Sequence, residues 1–370
     1  MKKAFGLAAT ALTVASLVAP VAVNAADFSA VIVTDVGGVD DKSFNQSAWE
    51  GLEQFGKENK LEKGVGGYDY LQSNSDSDYV TNLNSAVQAN FSLIFGIGYK
   101  LEAAVKEAAT QYPDKHFAIV DSVVDLPNVA SLTFKDNEAA FLAGVAAAKT
   151  TKTKQVGFIG GVEGFVIDRF EAGFVEGVKA VDPSIKVEVQ YAGSFADAAK
   201  GKQLAAAMYS GGADVIFHAS GGTGNGVFSE AKDIVTNDPK REVYVIGVDL
   251  DQDAEGLVTV DGKERHLTLA STLKGVGSAV KKFAQETKEG KFKSGNTIYG
   301  LKDGGVGLKT AQLSPEATKT TTVTLKNTKL KSSKVKSLYL KNQIVNKGLG
   351  TRSWGNLAPF LKVKCTYKIR

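Results

Sequence analysis

One cysteine in 370 residues, Cys365 near the C-terminal end, excludes an intrachain disulfide and any cysteine-based metal centre. Histidine is nearly as scarce. His116, His218 and His266 stand far apart without ligand spacing, and the first two fall in or beside β-prone runs, where a buried or rim histidine is the simpler reading. Acidic residues are missing from the last stretch: all 40 lie at or before Glu316, whereas 13 of the 44 basic residues follow it. The chain through Glu316 therefore carries a net charge of −9 and the remainder +13. An acidic body argues against nucleic-acid binding by the folded part. A basic block of this kind is ordinarily a solvated segment, and it can also touch anionic surface polymers or lipid. No internal repeat of about 20 to 50 residues is evident.

What is present begins with Lys2 and Lys3, a nearly uncharged stretch from Ala4 to Val23, and small residues at the cleavage-type positions of Val23-Asn24-Ala25. This predicts a signal peptide over 1–25 and export, a retained membrane anchor being the alternative. Beyond it, the length and a hydrophobic content of 43% suit two cores of ordinary size. Short β-branched or aromatic runs at 29–34, 68–72, 93–97, 116–121, 155–160, 185–192, 214–219 and 243–248 alternate with helix-like stretches, the rhythm of parallel sheets with covered faces. Three further runs, 129–134, 267–271 and 298–301, interrupt the alternation, the last two flanking a helix expected over 272–289. They predict three crossings between two α/β lobes, one of residues 27–132 and 270–297, the other of 133–269 and 298–314. Hinged lobes of this kind close on ligand. From 318 to 370 the pattern collapses into a basic tail that buries no face at either period.

The segment TDVGGVDDKSFNQ, Thr34 to Gln46, ends the first expected strand in acids, glycines and a helix start. Strand C-termini in open parallel sheets are where ligands sit, so Asp35, Phe44 and Asn45 converge on one space, Asp35 being otherwise a helix N-cap or turn acid. Asp40 and Asp41 read as capping and solvating residues of the Phe44 helix. Phe195 follows the 185–192 strand of the other lobe, so closure would bring two rings to opposite faces of a flat group; both phenylalanines are also ordinary core candidates. Asp249 ends an apolar strand, and Lys274 begins a helix after a crossover or is a plain surface lysine. Gly221 and Gly222 allow the backbone to approach a ligand closely. The run GGTGNG lacks the lysine-serine/threonine ending of a phosphate loop. No catalytic, metal-ligating or cofactor-binding set is read.

Eight blocks recur in order: TDVGGVDDKSFNQ, YLQSNSDSDY, IFGIGY, IVDSVVD, RFEAGF, GSFAD, HASGGTGNGVF and GVDLDQ. Together they resemble the BMP/PnrA-like family of ABC transporter substrate-binding proteins from about residue 28 to 316. The resemblance implies a type I periplasmic-binding-protein fold of two Rossmann-like lobes, and a purine nucleoside held in the cleft. It assigns Phe44 and Phe195 to the base faces, Asp35 and Asn45 to the base edge as an acceptor and a bifunctional amide, and Asp249 and Lys274 to the ribose hydroxyls. A monomer working with a permease and ATPase subunits at the outer face of the cell membrane is expected, non-enzymatic and associated with the membrane through its partner. The chain departs from the family in lacking a cysteine near residues 20–30 for a lipid anchor, and in its tail, for which a shifted reading frame near residue 318 is one explanation. Rival readings are a nucleoside hydrolase, which free-base release would reveal, and a surface adhesin acting through the tail.

Overall fold

A computed structural model of the chain describes residues 28–313, so the expected signal peptide and the basic tail both lie outside the described residues. The first sheet starts with β1 (Ala30–Val33), α1 (Phe44–Glu58), β2 (Tyr68–Leu71), α2 (Asp78–Gln88), β3 (Leu93–Ile97), α3 (Glu102–Gln111), β4 (His116–Val120) and β5 (Val129–Phe134). β1 and β3 are buried throughout, the uninterrupted apolar pattern of strands covered on both faces. The chain then builds a second sheet through α4 (Asp136–Thr150), β6 (Gln155–Gly160), α5 (Phe165–Val181), β7 (Lys186–Tyr191), α6 (Ala198–Ser210), β8 (Val215–Ala219), α7 (Gly224–Asn237) and β9 (Tyr244–Asp249). A hairpin, β10 (Leu257–Val260) and β11 (Lys263–His266), precedes β12 (Thr268–Lys274). The chain returns through α8 (Val276–Lys288) and β13 (Gly295–Tyr299), and crosses again to β14 (Val306–Thr310).

The two six-stranded sheets have orders β13-β5-β4-β3-β1-β2 and β14-β12-β9-β8-β6-β7. They match position for position: β6 stands where β1 does, and β9 where β4 does. Neighbouring strands are parallel throughout except β14, which runs against β12. Apolar clusters fill both faces of each sheet. Ile32, Phe95 and Val120 pack with Leu52, Phe55 and Val280 of α1 and α8, and Val31, Ile94 and Ile119 with residues of α2 and α3. In the second sheet Phe158 and Phe217 face Phe174 of α5, while Ile159 and Ile216 face α6 and α7. α1 and α8 cross at backbone contact, since a Cβ on Gly51 would lie 2.1 Å from the carbonyl oxygen of Gly277.

Three crossings join the sheets, at Lys135, at Gly275 and over residues 300–305. They lie side by side, with the Lys135 N–H donating to Tyr299 O and the Gly275 N–H to Gly305 O, each at 2.8 Å. The second and third come later than the expected boundaries at 270 and 298. β12 stays in the second sheet through Lys274, bonded to β9 on one side and β14 on the other, and residues up to Tyr299 pair with β5 in the first. Those two ladders hold residues 272–274 extended, which is why the helix expected from 272 begins only at Val276. Lys274 accordingly ends a strand and does not begin a helix. Among the described residues no helix is long and apolar enough to cross a membrane.

Candidate functional site

A cavity lies where the strand C-termini of the two sheets meet. Asp35 follows β1, Gly98 and Tyr99 follow β3, Asp121 follows β4, Ser220 and Gly221 follow β8, and Asp249 and Lys274 end β9 and β12; all line it. Asp121 and Asp249 occupy matching places in the two sheets, and both have left-handed backbones, at φ 67° and 68°. Aspartate is among the few non-glycine types that tolerate this conformation.

At one end the loop between β1 and α1 folds around its own carboxylates. Asp41 accepts from the backbone N–H groups of Ser43 (2.8 Å), Asn45 (3.0 Å) and Gln46 (3.1 Å), which supplies the partners that the first turn of α1 lacks within the helix. The Asn45 side-chain amide donates to Asp35 Oδ1 at 2.7 Å and to Asp41 Oδ2 at 3.0 Å. Asp35 Oδ1 also accepts from the Gly37 N–H at 2.9 Å. Burial pushes the Asp35 carboxyl up to about 6, against these hydrogen bonds. Burial raises Asp41 as well, outweighing its backbone donors.

At the other end Lys274 is 4% exposed and its ammonium lies 2.5 Å from Asp121 Oδ2 and 2.9 Å from Asp136 Oδ1. Asp136, at the start of α4, also accepts from the Arg169 guanidinium. Burial alone would lower the Lys274 pKa, but the carboxylates of Asp121, Asp136 and Asp249 outweigh it and hold the ammonium above its usual range. Burial pushes Asp249 up to about 7, with Lys274 and the Ser43 hydroxyl opposing. The rings of Phe44, Phe134 and Phe170 surround the ammonium at 5.2 to 5.6 Å, within cation–π range.

Phe44 of the first lobe and Phe195 of the second are both half-buried and both line the cavity. Phe195 lies over Gly161, where a Cβ would stand 2.2 Å from the ring, and Tyr99 meets it edge-on at 6.3 Å. Gly221 lines the cavity beneath the Phe195 backbone; Gly222 lies behind it, between the Phe195 carbonyl and Asp41, outside the cavity wall. Hydrogen bonds cross between the lobes. Ser43 Oγ donates to Asp249 Oδ2 at 2.6 Å, and Gln252 Nε2 donates to Lys42 O at 2.9 Å. Gln252 is oriented by its own Oε1, which accepts from the Val248 N–H and from His218 Nε2. His218 is fully buried in β8, where burial pushes its pKa down to about 4 and keeps it neutral.

Sequence reasoning brings Asp35, Phe44, Asn45, Phe195, Gly221, Asp249 and Lys274 to this one cavity and misses part of its wall. Asp41 caps the helix as expected and lines the cavity too, while Asp40 is exposed. Tyr99, Asp121 and Phe170 belong to the blocks IFGIGY, IVDSVVD and RFEAGF, and the first two lie within two residues of a strand end. The strand-end rule that singled out Asp35 applies to them equally. Among the described residues no group of three or more His, Cys, Asp or Glu side chains is placed to hold a metal ion.

Two sheets of equal strand order, three adjacent crossings and one cavity at the facing strand ends define a type I periplasmic-binding-protein fold. A solved ABC transporter solute-binding protein from Aeropyrum pernix K1 shares it, with a TM-score of 0.67 over 87% of this chain and 92% of that one at 24% identity. The chain belongs to the PnrA-like family of ABC transporter substrate-binding proteins, whose family model matches residues 28–347. The match runs past Glu316, where the resemblance read from the motifs ends. The chain is 59% identical over 285 residues to a CD4+ T-cell-stimulating antigen of Listeria innocua, covering 76% of this chain and 80% of the relative. It is 57% identical over 288 residues to the ABC transporter nucleoside-binding protein BmpA of Lactococcus lactis, covering 76% and 81%.

Proposed function

We propose that this chain captures purine nucleosides between its lobes, outside the cytoplasm, and delivers them to the permease of an ABC importer without transforming them. The observation that carries the reading is the pair Phe44 and Phe195, one ring from each lobe, on a cavity that Asp35, Asn45, Asp249 and Lys274 also line. Stacking a base on an aromatic ring contributes about 1–3 kcal/mol. A carboxylate beside an ammonium suits the vicinal hydroxyls of a ribose, which donate to the first and accept from the second. Among the described residues four carboxyl groups, Asp35, Asp41, Asp121 and Asp249, line the cavity against one lysine, so a phosphorylated ligand meets repulsion and an uncharged nucleoside does not. The nucleoside-binding name of the Lactococcus lactis relative agrees with this ligand class.

Two stacks and four or five polar contacts, set against about 4–15 kcal/mol of association cost, leave about −8 to −11 kcal/mol, or micromolar to tens of nanomolar affinity. Calorimetry of the full chain with nucleosides and their 5′-monophosphates tests this. Nucleosides are expected to bind in that range and monophosphates at least about tenfold more weakly. Heatless titrations with every nucleoside would end the proposal, and release of free base during incubation would make the protein a hydrolase.

A further inference from the structure

We infer that Asp41 fixes the Asn45 amide so that Asp35 and Asn45 offer a nucleobase two acceptors and no donor, and that the cleft therefore favours bases with a ring N–H beside an exocyclic amine, as in guanosine, over adenosine. The inference rests on the nucleoside reading above and goes further, to the hydrogen-bonding class of the base. The Asn45 amide nitrogen has two hydrogens, and both have carboxylate partners, Asp35 Oδ1 at 2.7 Å and Asp41 Oδ2 at 3.0 Å. No hydrogen remains for a ligand. Asn45 Oδ1, by contrast, is buried without a hydrogen-bond partner among the described residues, on a residue that is 2% exposed and lines the cavity. A buried acceptor of this kind is costly to leave unpaired, so it calls for a donor from the ligand.

Turning the amide over would set its oxygen against two carboxylates, so the hydrogen-bond network itself assigns the orientation. Asp41 cannot easily yield, because three backbone N–H groups at the start of α1 hold both of its oxygens. Asp35 supplies the second acceptor. Its Oδ1 already accepts twice, and its Oδ2 borders the space above Gly98, where a Cβ would stand 3.3 Å from Oδ2 and 3.5 Å from the Phe44 ring. Carboxylate oxygen and stacking ring thus flank the same gap. Guanine brings N1–H and an N2 amine to these two acceptors, whereas adenine brings the lone pair of N1 and finds no donor for it. Hypoxanthine, with N1–H alone, satisfies only one of the two.

Calorimetry of the full chain, freed of co-purified ligand, at pH 8 with guanosine, inosine and adenosine decides the matter. Guanosine is expected to bind at least about tenfold more tightly than adenosine, with inosine between them. Asp41→Asn removes one of the two carboxylates that hold the amide, and should shrink the guanosine-to-adenosine ratio several-fold. A general loss of affinity from a damaged fold would leave that ratio in place. Equal affinities for guanosine and adenosine in the unaltered protein would overturn the inference while leaving nucleoside capture standing. Binding of no nucleoside at all would remove both.

Discussion

Asp249 is held in conditions that oppose its charge: it is 7% exposed, its backbone is left-handed, and Asp41 and Asp121 lie close enough to add repulsion. Its pKa rises from the ordinary 3.8 to about 7, so the folded protein binds this proton more strongly than the unfolded chain does. Stability from this group is fully present below pH 3.8 and is lost as pH rises to about 7, by up to about 1.4 kcal/mol per pH unit. Asp249→Asn should therefore raise the melting temperature of the ligand-free protein at pH 8, and raise it less at pH 5. Equal changes at the two pH values would show that charge is not the reason. In binding, Phe44→Ala and Asp249→Ala should each weaken a nucleoside at least about tenfold by calorimetry; unchanged affinity in both would remove them from the site. Asp35, Phe44 and Asn45 are legible in sequence because they share one short segment at a strand end. The partners of Lys274 are not: Asp121 lies 153 residues away, and only the closed geometry reveals that the lysine serves two carboxylates before any ligand arrives.

Among the elements, the strands of both sheets announce themselves as short apolar runs, and their parallel order follows from the helices between them. Boundaries are harder. Residues 272–274 merge by pattern into the amphipathic helix that follows, and only pairing with β9 and β14 keeps them extended. The hairpin of β10 and β11 is a different case, since its signal is present and strong: Asp261-Gly262 forms the two-residue turn between Val260 and Lys263, at φ 51° and 70°. Alternation around it is too polar to register as a strand. Helix crossings leave a subtler mark. Gly51 and Gly277 let α1 and α8 meet at backbone contact, where a Cβ on either would stand within 2.4 Å of a carbonyl oxygen of the other helix. Gly51→Ala should push these helices apart and cost about 1–3 kcal/mol in urea unfolding, whereas alanine at exposed Gly290, where none of the described residues comes within 4 Å but φ is 73°, should cost less.

For the molecule as a whole, the equal strand order of the two sheets was not visible as a sequence repeat. Fold symmetry survives here in the backbone and in single positions, such as the paired aspartates Asp121 and Asp249, because parallel sheets constrain topology far more than residue identity. The bonds that cross the cleft from Lys42, Ser43 and Lys274 make this a closed arrangement. Small-angle scattering should show a smaller radius of gyration with nucleoside than without; identical curves would mean that the lobes do not move on capture.

Lys274 stands one residue from the crossing at Gly275, so its ammonium sits almost at the fulcrum of any such movement. Displacement about a fulcrum grows with distance from it. The aromatic rings and the Asp35 loop would sweep through wide arcs while the lysine stayed nearly still. An arriving solute would therefore find its mooring at the lysine already in place, and would be enclosed from there outward.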